Sequence, residues 1–270
     1  MPKPEKAYKN LEFLNSRAAR TVRILCEYEE PKARLEAEGI ENTIVMFGSA
    51  RIRSEAESKQ VLAEAQAALA AGTGTEEAVA TAEKRLKLSG YYEQTVELAR
   101  RLTEWSMERG GTDYHICSGG GPGIMEAANR GASQVEGAKS VGLGISLPFE
   151  AGVNEYTPEE LAFEFHYFFM RKLWFLYLAK AVIICPGGFG TLDEFFETLT
   201  LLQTGKIDRP LPLVLFGKSF WDRVLHLDAM VEEGTISPGD PDLFLLTDSV
   251  DEAFDYVVGE LIKNEGSGVK

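Results

Sequence analysis

Short apolar runs rich in β-branched residues alternate along the chain with longer stretches whose apolar positions recur at helical spacing. That rhythm predicts βαβ units and a mainly parallel sheet. The predicted strands cover residues 43–47, 114–117, 140–147, 181–185, 211–216 and 243–246. Helices are predicted over 90–108, 123–136, 158–180, 192–204, 220–232 and 250–262. Together they make an α/β fold: a doubly wound, mainly parallel sheet of about six strands with helices on both faces.

Two segments break the alternation. Residues 1–40 are charged and helix-prone and predict an N-terminal helical extension, with Pro31 as a break. Residues 54–88 are rich in Ala, Glu, Lys and Gln and are interrupted by Ala71-Gly72-Thr73-Gly74-Thr75. They read as a helical hairpin inserted after the first strand, or equally as a flexible, partly exposed helix pair, placed to extend a subunit interface or to cap a crevice. The main domain then spans residues 41–264, and residues 265–270 form a flexible tail.

Composition narrows the function classes. The chain of 270 residues carries 28 Lys and Arg against 42 Asp and Glu, a formal charge of −14, which opposes attraction to nucleic acid or anionic membrane. No apolar run approaches the roughly 20 residues needed to span a bilayer, and the N-terminus lacks the apolar core of a signal peptide. Cys26, Cys117 and Cys185 are an odd, widely spaced set, which predicts free thiols in a reducing compartment, and the chain is expected in the cytoplasm. His115, His166 and His226 fall in a strand, the aromatic helix and a C-terminal helix, and their spacing offers no metal motif.

Candidate chemistry gathers where three strands end in small residues followed by a helix: Phe47-Gly48-Ser49-Ala50, Ser118-Gly119-Gly120-Gly121-Pro122-Gly123 and Pro186-Gly187-Gly188-Phe189-Gly190-Thr191. In a doubly wound sheet these turns project from one edge and converge on one crevice. Glycine permits close backbone approach, and a helix start offers unpaired N–H groups and a positive dipole end, the makings of a phosphate site. Tight turns and close helix–sheet packing account for such glycines too. Neither G-x-G-x-x-G nor G-x-x-x-x-G-K-[ST] is present, which counts against dinucleotide oxidoreductases and P-loop NTPases.

Thr191 falls at an N-cap or in a first turn with Leu192, Asp193 and Glu194. Glu194 either complements the helix dipole or addresses a sugar hydroxyl or a water. Upstream, Arg171 and Lys172 are two cations inside a very apolar stretch, where they snorkel to the surface or meet an anionic ligand. Glu150 and Asn154, after the third strand, are further candidate contacts.

The segments SGGGPGIMEAANRGA, MRK and PGGFGTLDE resemble those of the Lonely Guy family of cytokinin-activating phosphoribohydrolases, long labelled lysine decarboxylases. The resemblance covers roughly residues 42–247 and leaves out the N-terminal extension and the 54–88 hairpin. It implies a dimeric or higher, Rossmann-like enzyme that hydrolyses the N-glycosidic bond of a purine nucleoside 5′-monophosphate, AMP-like or a cytokinin riboside monophosphate, without an organic cofactor or a metal. By position, Arg171 and Glu194 match the family's essential residues. Gly187, Gly188, Phe189, Gly190, Thr191, Leu192, Asp193 and Thr200 match its nucleotide-contacting segment. Ser49, Gly119, Gly120, Gly121 and Lys172 complete the expected substrate site. The chain departs from the compact members in lacking a histidine before Arg171 and in carrying Glu126 after Met125, which bears on base preference.

The alternative is a non-catalytic nucleotide or molybdenum-cofactor carrier of the same fold, an analogy at the level of fold alone. Lysine decarboxylation fails on chemistry: no lysine here has the setting of a pyridoxal phosphate Schiff base.

Overall fold

Unbroken apolar runs become strands here because both faces of the sheet are covered by helices. The computed structural model describes residues 3–110, 114–147 and 152–266, and within them seven parallel strands build one sheet. They are β1 (Thr43–Phe47), β2 (His115–Ser118), β3 (Ser140–Ile145), β4 (Ala162–Phe165), β5 (Ala179–Ile184), β6 (Leu213–Phe216) and β7 (Leu245–Thr247), in the order β4-β3-β2-β1-β5-β6-β7. The chain steps outward from β1 to β4, returns to the far side of β1 as β5, and steps outward again. Winding therefore reverses between β1 and β5, where a crevice opens outside the carboxyl ends of the strands.

The helices are α1 (Leu11–Asn15), α2 (Arg20–Ala37), α3 (Glu55–Ala70), α4 (Glu76–Glu108), α5 (Ile124–Ser133), α6 (Phe168–Tyr177), α7 (Phe189–Gln203), α8 (Lys218–Val224), α9 (Leu227–Glu232) and α10 (Val250–Gly266). Successive strand residues point to opposite faces. Ile44, Met46 and Ile183 thus pack with Leu98 and Leu102 of α4, Ala127 of α5 and Val257 of α10. Val45, Val182 and Leu213 meet Phe175 of α6, Phe195 of α7 and Trp221 of α8 on the other side.

The helix expected over residues 158–180 is the main error of the pattern reading. Residues Ala162–Phe165 are β4, in register with β3 from Gly142 opposite Ala162 to Ile145 opposite Phe165, and the helix is only Phe168–Tyr177. Phe163 and Phe165 are buried while Glu164 is exposed, a period of two hidden inside an aromatic-rich stretch. The helix expected over 220–232 is two short ones, α8 and α9, parted at Leu225 and His226.

Pro31 does not break the N-terminal helix. Proline removes the backbone donor that the carbonyl of Glu27 would otherwise receive. The indole Nε1 of Trp174 donates to that carbonyl at 3.0 Å instead, while the Glu27 carboxylate accepts the amides of His166 at 2.8 Å and Tyr167 at 3.2 Å. The kept helix therefore braces the entry to α6.

The hairpin after β1 is present, with its second arm continuous with the core helix: α4 runs unbroken for 33 residues. Ser54 caps α3 by accepting the Glu57 amide at 3.2 Å, and Thr75 caps α4 by accepting the Ala78 amide at 3.2 Å. At the other end of the chain, Glu265 belongs to α10 and is bonded by Arg109 and by Tyr114 at 2.6 and 2.7 Å. Only residues 267–270 of the expected tail lie outside the described residues.

Candidate active site

Three turns leave the carboxyl ends of β1, β2 and β5 and are joined to one another by backbone. The Ser49 amide donates to Pro186 O at 3.0 Å, and the Ile124 amide donates to Ser49 O at 3.1 Å. Glycine is required at two of these joints. Gly123 has φ +74° and a Cβ there would strike the backbone of Ser49 and Ala50, while a Cβ at Gly187 would strike the side chain of Thr191. Helix α7 is capped by Gly188 rather than by Thr191, which sits buried in its first turn. No side chain caps that end, so it presents N–H groups and a positive dipole end. Phe189, at the tip, is 94% exposed.

Arg171 lies on α6 with its Nε donating to Leu143 O at 2.7 Å and its guanidinium over the ring of Phe175, 5.0 Å from the centroid. A longer contact of 3.5 Å reaches Gly119 O. The cation is thereby fixed at the ends of β2 and β3 rather than snorkelling. Glu194, one helical turn into α7, is 7% exposed, and its carboxylate has no hydrogen-bond partner among the described residues. Burial pushes its pKa up to about 7; Lys172 and Arg171 pull it down, and Glu197 and Asp193 push it up. A carboxyl so placed exchanges a proton near neutral pH.

One large crevice of about 1470 Å³ collects Ser49, Gly119, Arg171, Gly187, Gly188, Phe189, Gly190, Thr191, Leu192, Asp193 and Glu194. Four expected residues stand outside its lining: Gly120, Gly121, Lys172 and Thr200. Lys172 and Thr200 instead line a shallow depression on the outer side of α7, where Lys172 pairs with Asp193 at 2.9 Å and Glu197 at 2.6 Å. Two carboxylates one turn apart on α7 draw the lysine away from the crevice. Gly120 and Gly121 are braced from behind: Asn154 Nδ2 donates to both carbonyls at 2.9 and 3.2 Å and to Asn129 Oδ1 at 3.0 Å. Asn154 is therefore a support of the loop, and Glu150 lies outside the described residues.

Two walls complete the crevice, the first missed by sequence reasoning and the second one of the two placements it left open for the hairpin. One is apolar, with Met125, Ile145, Leu147 and Phe168. The other is the hairpin, which roofs the crevice with Glu57, Ser58, Gln60, Val61 and Glu64 of α3 and Arg85 and Leu88 of α4. The hairpin's position directly after β1, at the carboxyl edge, was the available signal. His115 is buried in β2 with its pKa lowered by burial, His166 lies between β4 and α6, and His226 precedes α9. Among the described residues no group of His, Cys, Asp and Glu is arranged to hold a metal ion. No helix there is long and apolar enough to cross a membrane.

A family model described as "Possible lysine decarboxylase" matches residues 125–257. The cytokinin riboside 5′-monophosphate phosphoribohydrolase LOG3 of Arabidopsis thaliana is 29% identical over 157 residues, 56% of this chain and 67% of that protein. Its relative LOG7 from the same plant is 28% identical over 156 residues, 56% of this chain and 66% of that protein. Among solved structures, the molybdenum cofactor binding protein of Rippkaea orientalis aligns with a TM-score of 0.40 at 18% identity, covering 64% of this chain and 86% of that one. Both Arg171-Lys172 and the run from Pro186 to Glu194 lie inside the stretch matched by the family model, and over about half of its length the chain is similar, at modest identity, to the plant Lonely Guy proteins.

Proposed function

We propose that the chain is a phosphoribohydrolase that cleaves the N-glycosidic bond of a purine or cytokinin nucleoside 5′-monophosphate, AMP included, to free base and ribose 5-phosphate. The observation that carries this reading is Glu194: a buried carboxyl, poised near neutrality, opening on a crevice beside an uncapped helix end and Arg171. The phosphate sits at the start of α7 against the Gly187–Thr191 turn, where N–H groups and the dipole favour an anion. Its ribose then lies over Glu194. As the bond from C1′ to the base nitrogen breaks, its electron pair leaves with the base and the sugar acquires oxocarbenium character. Water adds its oxygen to C1′ and passes a proton to the Glu194 carboxylate, while the departing base takes up a proton from solvent and Glu194 later returns its own to solvent. Arg171, held by the carbonyls of Leu143 and Gly119, supplies positive potential that keeps Glu194 more readily ionised than burial alone would allow.

A homodimer fits the exposed apolar stripe of α6. Phe169, Leu173 and Tyr177, spaced four residues apart, are 50%, 39% and 54% exposed beside the crevice residue Phe168. Sedimentation of the full chain should show a dimer that Phe169→Glu with Tyr177→Glu dissociates; a monomeric wild type removes the idea. The free cysteines Cys26, Cys117 and Cys185 suit a cytoplasmic site of action.

The decisive experiment incubates the protein with a panel of nucleoside monophosphates and chromatographs for free base. At least one purine monophosphate should release its base, and Glu194→Gln should lower that turnover by about a thousandfold with little effect on nucleotide binding. No base from any substrate, with AMP still raising the melting temperature, would make the chain a nucleotide carrier instead.

A further inference from the structure

Helix α6 does not hold its own start. Its N-cap residue, Tyr167, offers no side-chain cap, and the chain enters from β4 through His166 and Tyr167 alone. The amides of those two residues are taken by Glu27 of α2, which lies 139 and 140 residues earlier in the chain. One carboxylate oxygen serves each: Oε1 accepts from His166 at 2.8 Å and Oε2 from Tyr167 at 3.2 Å. Negative charge at a helix start is also favoured by the dipole. The main chain of Glu27 is engaged from the same helix, by the indole of Trp174, on the carbonyl that Pro31 leaves open.

From Tyr167 the path to the crevice is one bond long. Its carbonyl accepts the backbone amide of Met170 at 3.1 Å and that of Arg171 at 3.2 Å. Tyr167 is itself buried, with the guanidinium of Arg20 over its ring at 5.7 Å from the centroid. The residue that Glu27 holds therefore holds the backbone of Arg171. The guanidinium of Arg171 sits at the end of a long side chain and reaches Leu143 O with Nε and, at greater length, Gly119 O. Whether both carbonyls are met depends on where the helix places its Cα. Two carboxylate bonds at the entry of a short helix fix that place, since charge-assisted bonds are the strong ones.

We propose that Glu27 is a positioning residue of the crevice: from the N-terminal extension it holds the entry to α6 and so sets where Arg171 stands. Its consequence for turnover rests on the function proposed above; the placement is tested without it. The probe is the Glu194 carboxyl, titrated in the ligand-free chain by carbon-13 NMR and identified through Glu194→Gln. Arg171 and Lys172 of α6 lower its pKa while Glu197 and Asp193 of α7 raise it, so a loosened α6 moves the midpoint up. Glu27→Leu, which loses both acceptors, should raise the midpoint by about one pH unit, the low end of what a nearby opposite charge supplies. Glu27→Gln keeps one acceptor oxygen, should raise it by less, and carries the test if the leucine variant fails to fold. In an Arg171→Met background Glu27→Leu should add nothing. A midpoint that neither variant moves overturns the proposal and leaves Glu27 an anchor of the N-terminal helices, and a shift that persists without Arg171 overturns it too. Where wild type releases base, the acid limb of turnover should follow the same order of variants with KM little changed; a uniformly lower rate on an unmoved limb counts against positioning. Where no monophosphate releases its base, the titration still decides the role of Glu27, and only the hydrolase reading falls.

Discussion

The floor of the crevice and its roof are built on opposite terms. The floor turns leave β1, β2 and β5, strands buried along almost their whole length, and are tied together by the bonds from Ser49 to Pro186 and from Ile124 to Ser49. Behind them the buried Asn129 accepts from Ser118 Oγ at 2.6 Å and donates to Ser140 Oγ at 3.0 Å. The roof has almost no core of its own. Helix α3 buries only Ser58, and α4 before Ser89 buries only Ala82. The turns of the crevice floor are thus placed on the sheet, and its roof is placed on helices that owe little to apolar burial.

Hydrogen exchange offers the largest test of that contrast. Amides of β1 and β5 should exchange only when the whole domain opens, at roughly 5–15 kcal/mol for a typical protein, while those of α3 exchange through local opening near zero. Protection should therefore differ by at least about three orders of magnitude, measurable by mass spectrometry of the native chain. If α3 amides are protected as well as those of β5, the roof is a structural element and the contrast collapses.

Glu194 tests the floor from the side of stability. Its folded pKa of about 7 lies above the ordinary 4.5, so between those values the folded chain binds more protons than the unfolded one. Burial of the carboxyl accordingly costs nothing below about pH 4.5, costs progressively more as pH rises, and reaches its full value above pH 7, about 3 kcal/mol. Glu194→Gln stays neutral throughout. Urea denaturation should find the variant more stable by about that amount at pH 8 and equal to wild type at pH 4.5. The same gain at both values would mean that ionisation of Glu194 is not what the fold resists.

How much of this could be read in advance follows the same division. The floor was legible because glycine at three strand ends is a local signal; Arg171 was singled out as a cation inside an apolar stretch, Glu194 as an acid beside the predicted anion turn, and the family resemblance paired the two. Lys172 was assigned to the crevice because its partners, Asp193 and Glu197, come from a different helix and meet it only in the folded chain. Their spacing of four on α7 was the clue, since it puts both carboxylates on one face. The hairpin was legible as helices, and as a roof only as one of two placements: its Ala/Glu/Lys pattern has no apolar stripe to choose between a subunit interface and a cap. Strand β4 was lost for the reverse reason, its alternation of Phe163, Glu164 and Phe165 being submerged in an aromatic run.

The smallest effect concerns that displaced lysine, which lies behind the floor and reaches it only by charge. Lys172 is the strongest of the groups lowering the pKa of Glu194, and it also neutralises Asp193 and Glu197, which raise it. Lys172→Met removes the first influence and uncovers the other two, so the Glu194 pKa moves further up. If turnover needs the ionised carboxylate, activity rises with pH through the folded pKa, and the variant's rising limb must lie at higher pH than that of wild type. At pH 6 the variant should be slower by up to about tenfold, the equivalent of one pH unit, and by pH 9 the two should converge. Activity that instead falls with pH, along a limb that the variant carries to higher pH, would give Glu194 the role of proton donor. An unmoved limb with a uniformly lower rate would instead mean that Lys172 touches the nucleotide and that the ion pairs to α7 give way when ligand binds.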